Sequence, residues 1–399
     1  MFIERADANR FNMLKLPIYL DYNATTPCDP QVMEVMLPYF TEQFGNAASR
    51  SHSFGWQAEE AVEYAREQVA RLIGAEPKEI IFTSGATEGD NLALKGVFEM
   101  YAGKGNHIIT CVTEHKAVLD TCKHIEKLGG EVTYLPVNRE GLIDLQQLEA
   151  AITPRTILIA IMYANNETGT VQSVKEIGAI AKKHNVIFFT DATQAVGKIP
   201  VDVIKDNIDL LACSAHKIYG PKGVGALYVR RKNPRVKLTA QMDGGGHEKG
   251  MRSGTLNVPG IAGFGKACDI CRLQMEEDSL RMSHLRDKLE NALLQLEATY
   301  INGSREHRLP HVANISFDYV DGDGLMMGLN KEIALSSGAA CTSASMEPSY
   351  VLKALGLDDT LAHSSLRFSI GRFTTEEQID FVIEKVTKTV NQLRELKIS

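Results

Sequence analysis

Between residues 56 and 229 the chain alternates two textures of hydrophobic and polar positions. Short, nearly continuous apolar runs fall at 80–83, 107–112, 131–137, 156–162, 186–190, 210–213 and 224–229, and they predict strands. Between them, apolar residues recur at helical spacing. Val62, Ala65, Val69, Leu72 and Ile73 predict a helix over 56–73, and further helices are expected at 87–101, 117–128, 145–151 and 173–183. Ser173-x-x-Glu176 reads as a capping box at the start of the last of these. Strands apolar on both faces, each followed by a helix, imply an α/β fold: a mainly parallel sheet sandwiched by helices. In such sheets ligands lie at the carboxyl ends of the strands.

Beyond Thr255 the texture changes. A long helical pattern over 261–296 leads out of the first unit. A strand (312–317), a helix (322–329), a loop (336–348), a helix (350–355) and a strand (366–369) follow. The closing helix carries Ile379, Val382, Ile383, Val386, Val390 and Leu393 on one face, with Thr374-x-x-Glu377 as its cap. This is a smaller α+β domain. The expected division is a large domain over 27–271, with 1–26 and 272–399 forming the small one. Residues 17–20 are an extended entry, and 21–27 and 44–52 are polar loops.

Composition narrows the function. Of 399 residues, 44% are hydrophobic and 23% charged, ordinary for a globular chain. A net charge of −7 argues against bulk nucleic-acid or anionic-membrane binding. No apolar run approaches the ~20 residues that span a bilayer. Residues 1–12 lack the apolar stretch of a secretory signal and read as a tail or an upstream start. The seven cysteines are scattered without a disulfide framework, so a reducing, cytoplasmic setting is expected. Cys268-x-x-Cys271 has no second pair to complete a zinc site and reads as structural.

Candidate chemistry starts at Lys217, between the strands 210–213 and 224–229. Burying an ammonium is costly unless it is paired or neutralised. A Schiff base wants such a lysine; a strand-end lysine with its head in water is the ordinary alternative. Pyridoxal phosphate asks for a lysine, a carboxylate on its pyridine nitrogen, a phosphate cradle and a shaped site over its ring. Asp191, ending a strand, offers the carboxylate, or a helix cap. Ser84-Gly85-Ala86-Thr87 at a helix start offers anion-binding N–H groups, or another cap. Ser214 and His216 flank the lysine closely enough to share the phosphate. His115 follows a strand and is suited to stack on a ring and move protons, though one loop histidine is more often solvated.

With these residues in this order, the chain resembles the class V aminotransferase-like, fold-type I pyridoxal phosphate enzymes, and within them the IscS/NifS-type cysteine desulfurases. The likeness runs from Leu14 to about Leu396. It rests on Tyr19-Leu20-Asp21-Tyr22-Asn23-Ala24-Thr25-Thr26-Pro27, Thr83-Ser84-Gly85-Ala86-Thr87-Glu88, Asp191-Ala192-Thr193-Gln194 and Ser214-Ala215-His216-Lys217. Gly244-Gly245-Gly246-His247-Glu248, Gly250 to Thr255, and Ser336 to Ser343 complete it.

The resemblance implies that Lys217 holds the cofactor, Asp191 its pyridine nitrogen and Gln194 its phenolic oxygen, with Asn166 on the ring side. It implies a phosphate held by Ala86, Thr87, Ser214 and His216, with Thr255 supplied by the partner subunit of a homodimer. His115 would stack on the ring, Arg367 would grip the substrate carboxylate, and Asn46 would join the substrate site. Cys341, in a loop of small residues, would be the nucleophile. The implied reaction takes sulfur from L-cysteine, leaving alanine and a persulfide on Cys341. Acceptors would be an iron–sulfur scaffold protein, where Cys341 would transiently ligate a cluster, and tRNA thiolation partners. No resident metal is expected. Asn23 and the Asn46-Ala47 pair depart from the usual pattern without touching a proposed catalytic role, and the chain stops where relatives continue in a scaffold-docking tail. The alternative is a selenocysteine lyase or another class V enzyme. Gly220-Pro221-Lys222-Gly223-Val224-Gly225 is not a nucleotide-binding loop.

Overall fold

The computed structural model of the chain describes residues 14–337 and 347–398. Its strands are β1 (Ile18–Tyr19), β2 (Ile80–Thr83), β3 (His107–Cys111), β4 (Glu131–Leu135), β5 (Thr156–Ala160), β6 (Ile187–Asp191), β7 (Leu210–Ser214) and β8 (Gly225–Val229). From β2 to β8 they form one seven-stranded sheet, ordered β2-β8-β7-β6-β5-β3-β4. Pairing is parallel from β4 through to β7, and β8 runs antiparallel to both β7 and β2. Successive side chains enter opposite cores. Ile80, Phe82, Ile109, Ile159, Phe188 and Leu211 face one cluster, while Ile81, Ile108, Leu158, Phe189 and Leu210 face the other. Both faces are therefore covered, which explains why these runs are apolar without alternation.

The helix Ser53–Ile73 begins where His52 Nδ1 accepts from Gly55 N and ends at Gly74, whose φ of +70° favours a residue without a Cβ. It packs against the 36-residue helix Val258–Leu293. The front half of that long helix (Ile261, Phe264, Ala267, Cys268) belongs to the large core; its rear half (Met282, Leu285, Leu289, Leu293) belongs to a second core.

That second core is built on β9 (Thr299–Ile301), β10 (Val312–Phe317), β11 (Ile333–Ala334), β12 (Ser336–Ser337) and β13 (Ser365–Ser369). Four of these form an antiparallel sheet ordered β12-β13-β10-β9, and β11 pairs in parallel with β1. The helix Glu376–Ile398 covers it with Ile379, Val382, Val386 and Val390.

Both expected capping boxes differ. Ser173 makes no side-chain bond to its helix, and its carbonyl instead accepts from Ile177 N at 3.0 Å. At the closing helix the reciprocal pair is Thr375 and Gln378, one residue further along, because Thr374 Oγ1 is already used by Gly371 N. The short helices Pro30–Met36, Pro38–Thr41 and Asp359–His363, with β9 and β11, have no counterpart in the sequence pattern, and β12 takes the start of the loop expected at 336–348. They are too short to set up a readable period.

Arg66 and Glu248 form a two-pronged ion pair inside the large unit, both contacts 2.8 Å. Glu248 also accepts from Phe82 N at 2.7 Å, and Arg66 donates to Ile80 O. The pair pins the loop 244–255 to the sheet edge. Glu248→Ala would remove the buried counter-charge of Arg66 and leave its guanidinium only the exposed Glu63, 2.9 Å from Nε. The expected cost is about 3–5 kcal/mol, read as a lower urea midpoint.

Candidate active site

A cavity of about 800 Å³ opens at the carboxyl ends of the parallel strands. Lys217 lines it from a single 3₁₀ turn directly after β7. Its Nζ donates to the main-chain carbonyls of Asn23, at 2.5 Å, and Ala24, at 2.8 Å. Burial, then the nearby Arg367 charge, pulls its pKa down to about 8. The Asp191 and Asp21 carboxylates act the other way but do not cancel the burial, so the neutral, nucleophilic amine is more populated than in an ordinary lysine.

Asp191 ends β6 and lines the same cavity. One of its oxygens accepts from Thr193 N at 2.9 Å, so it caps its own turn as well as facing the site. Gln194 donates to Asn23 O at 3.0 Å, while its Oε1 is buried without a partner, as are Asn166 Oδ1 and Thr193 Oγ1. Buried polar atoms are normally satisfied, so these orphans fit a polar, planar group filling the cavity.

An anion cradle closes one end. Gly85, at φ +157°, turns the chain from β2 into the helix Ala86–Met100, whose first turn carries Ala86 and Thr87. The backbones crowd here: a Cβ on Gly225 would lie 2.5 Å from Cys213 O and 2.7 Å from Gly85 Cα. Ser214 and His216 line the cradle side of the cavity. Burial, with Lys217 and Lys222 nearby, holds His216 down at about 4, so it is neutral; its Nδ1 meets Thr25 Oγ1 at 3.1 Å. Glu88, in the first helical turn, would oppose an anion, but Arg252 Nε binds it at 2.8 Å and Ser84 N at 2.8 Å. This donor set fits a phosphate, and the lysine and carboxylate fit the rest of pyridoxal phosphate.

His115 caps the helix Lys116–Lys127, its Nδ1 accepting from Ala117 N at 3.2 Å. The neutral ring therefore carries its proton on Nε2. Arg367, on β13, donates to Asp21 Oδ1 (2.6 Å) and Ser336 Oγ (2.9 Å) from one terminal nitrogen and to Asn166 O (2.9 Å) from the other, so both arms of the expected carboxylate fork already have partners within the chain. Asn46 and Thr255 do not line this cavity; both are exposed, and Asn46 Oδ1 accepts from Ala48 N. Cys341 lies outside the described residues.

One expectation is corrected. Asn23 does touch the site: it is buried, and its carbonyl is the perch of Lys217. Asp21, Asn23 and Arg252 were missed because their partners are 346, 194 and 164 residues away in sequence. Cys268 and Cys271 are buried on the long helix, and among the described residues no group of side chains could hold a metal. No described helix is long and apolar enough to cross a membrane.

The Aminotransferase class-V family matches residues 18–382. The chain belongs to the class-V aminotransferase family. Within this class-V family it is of the IscS/NifS type. It is 58% identical over 384 residues to the cysteine desulfurase IscS of Anaeromyxobacter dehalogenans, covering 96% of this chain and 95% of the relative. A solved NifS-like protein superposes with a TM-score of 0.88 at 38% identity, covering 95% of this chain and all of that one. A structure of SspA in complex with cysteine matches at 0.80, also 38% identical, over 90% of this chain and all of its own. The mainly parallel sheet with helices on both faces matches the fold expected from the sequence.

Proposed function

We propose that this class-V chain is a pyridoxal phosphate-dependent cysteine desulfurase that converts L-cysteine to L-alanine and leaves the sulfur as a persulfide on Cys341. The observation that carries the reading is the convergence of Lys217, Asp191, His115 and Arg367 on one cavity, in a chain 58% identical to an IscS cysteine desulfurase.

Lys217 would bind the cofactor, Asp191 its ring nitrogen, Gln194 and Asn166 its polar edge, and the Ala86–Thr87 turn with Ser214 and His216 its phosphate. Once bound, pyridoxal phosphate supplies an electron sink for the α-carbon. Arg367 orients the substrate by its carboxylate through charge-assisted bonds. The Lys217 amine, its pKa already lowered, takes the α-proton, and His115 Nε2 serves as a second proton donor and acceptor. The Cys341 thiolate attacks the substrate sulfur. The sulfur–sulfur bond forms as the carbon–sulfur bond breaks; its electron pair stays with the carbon fragment, which gains protons and leaves as alanine.

Exposed aromatic side chains support a homodimer. Phe40, Phe44, Phe54, Trp56 and Tyr64 are all more than 40% exposed on neighbouring segments, and exposed Thr255 would then serve the partner's phosphate. The persulfide would pass to an iron–sulfur scaffold or another sulfur acceptor.

The deciding experiment incubates the purified chain with pyridoxal phosphate, L-cysteine and a thiol reductant. Alanine and sulfide should appear in equal amounts. Alanine without sulfide, or neither, overturns the reading.

A further inference from the structure

Two buried bases lie beyond Asn23, outside the cavity lining. Lys198 is 4% exposed and His311 is 0% exposed. Lys198 Nζ is 3.2 Å from His311 Nε2, and that same nitrogen is 2.7 Å from Asn23 Oδ1.

Asn23 Nδ2 donates to the carbonyl of Asn166 at 3.0 Å, so the amide presents Oδ1 to His311. An amide oxygen only accepts, so His311 Nε2 must bear the proton. That nitrogen then has no lone pair left for Lys198. An ammonium has donors and no acceptor; a neutral amine has a lone pair. The geometry therefore favours neutral Lys198, whose lone pair faces that N–H where an ammonium would set donor against donor. Its surroundings agree. Among the described residues no carboxylate pairs with Lys198, and the ionisable groups facing it are Lys217 beyond β7, Cys271 on the long helix and Arg367 on β13. Burial is the largest influence, and with these charges it brings Lys198 down to about 7. His311 is held well below its ordinary value by burial and by Lys198, Arg286 and Arg367.

We propose that Lys198 and His311 are positioning residues for Lys217: neutral Lys198 keeps His311 donating to Asn23, which fixes the Asn23 carbonyl on which the Lys217 amine rests. The inference rests on the reading of Lys217 as the cofactor-bearing amine. Protonation of Lys198 reverses the arrangement. The new ammonium points a donor at His311 Nε2, so the His311 proton must move to Nδ1, a buried atom with no partner. One proton is taken up in total, by Lys198; His311 keeps its own and relocates it. Asn23 Oδ1 then faces a lone pair, and the amide that supports Lys217 loses its anchor. The site thus senses acid from beneath, through a group that never meets the substrate.

The test is nitrogen NMR of the cofactor-loaded, full-length chain with ¹⁵N-labelled histidine, the His311 signals being assigned with His311→Gln. From about pH 9 to about pH 6, spanning the range in which such groups titrate, His311 should pass from the Nε2–H to the Nδ1–H form with a midpoint at about 7. Lys198→Met should hold the Nε2–H form throughout, and the acid-side change in the bound cofactor's visible band should vanish with it. Nδ1–H at high pH, or one unchanging form in the parent, overturns the inference. The parent titration decides even where Lys198→Met does not fold. Retention of the cofactor band in Lys217→Ala would instead overturn the reading on which the inference rests, so the two failures are distinguishable.

Discussion

Lys217→Ala is expected to abolish the visible band of attached pyridoxal phosphate and to lower alanine formation from L-cysteine by at least about 10³-fold, within the roughly 10²–10⁴-fold of a lost proton-transfer group. The amine would both anchor the cofactor and move the α-proton, so one substitution removes two functions. No other cavity-lining lysine can replace it in place: Lys116 lies over the Tyr350 ring, 4.5 Å from its centroid, and Lys222 follows the turn after the cradle. Absorption spectra and an alanine assay check both functions. A variant that keeps its band and more than a tenth of its rate would show that the lysine has been assigned the wrong role.

Cys341→Ser separates the cofactor from the sulfur chemistry. The serine variant should load cofactor normally and keep the spectral response to L-cysteine. Sulfide release should fall by at least about 10³-fold, because a serine hydroxyl supplies almost no anion at neutral pH whereas a thiol supplies a reactive one. Sulfide and persulfide assays on the parent and the variant check this. Release at the parental rate would remove Cys341 from the mechanism.

Much of this is legible in the sequence, for identifiable reasons. β5 to β8 are buried on both faces, so their apolar runs announce strands. Asp191 and Lys217 stand out because polar groups at the ends of such runs need a purpose. The supports of the site were not legible. Asn23 is an ordinary loop residue until it meets His311, 288 positions away. Lys198 closes a helical turn and looks solvated; only the fold buries it. The Arg66–Glu248 pair spans 182 positions and gives no local signal. Thr374 and Thr375 are equally good caps in sequence, and the choice falls to whichever hydroxyl is not already used by Gly371.

The helix Val258–Leu293 fixes an angular phase between the two cores. Residues before Cys271 are set in one and residues after Met282 in the other, with a mostly solvated segment between. Each residue turns a helix by roughly 100° and advances it about 1.5 Å. A single insertion in that segment would swing Leu285 and Leu289 out of their core, and Arg367 with them out of register with Lys217. Lengthening in steps that restore phase would realign the faces but lift β13 away from the cavity. The length of this rod is thus held to a single value, as the tooth count of a gear is, by surfaces that it joins but does not itself form.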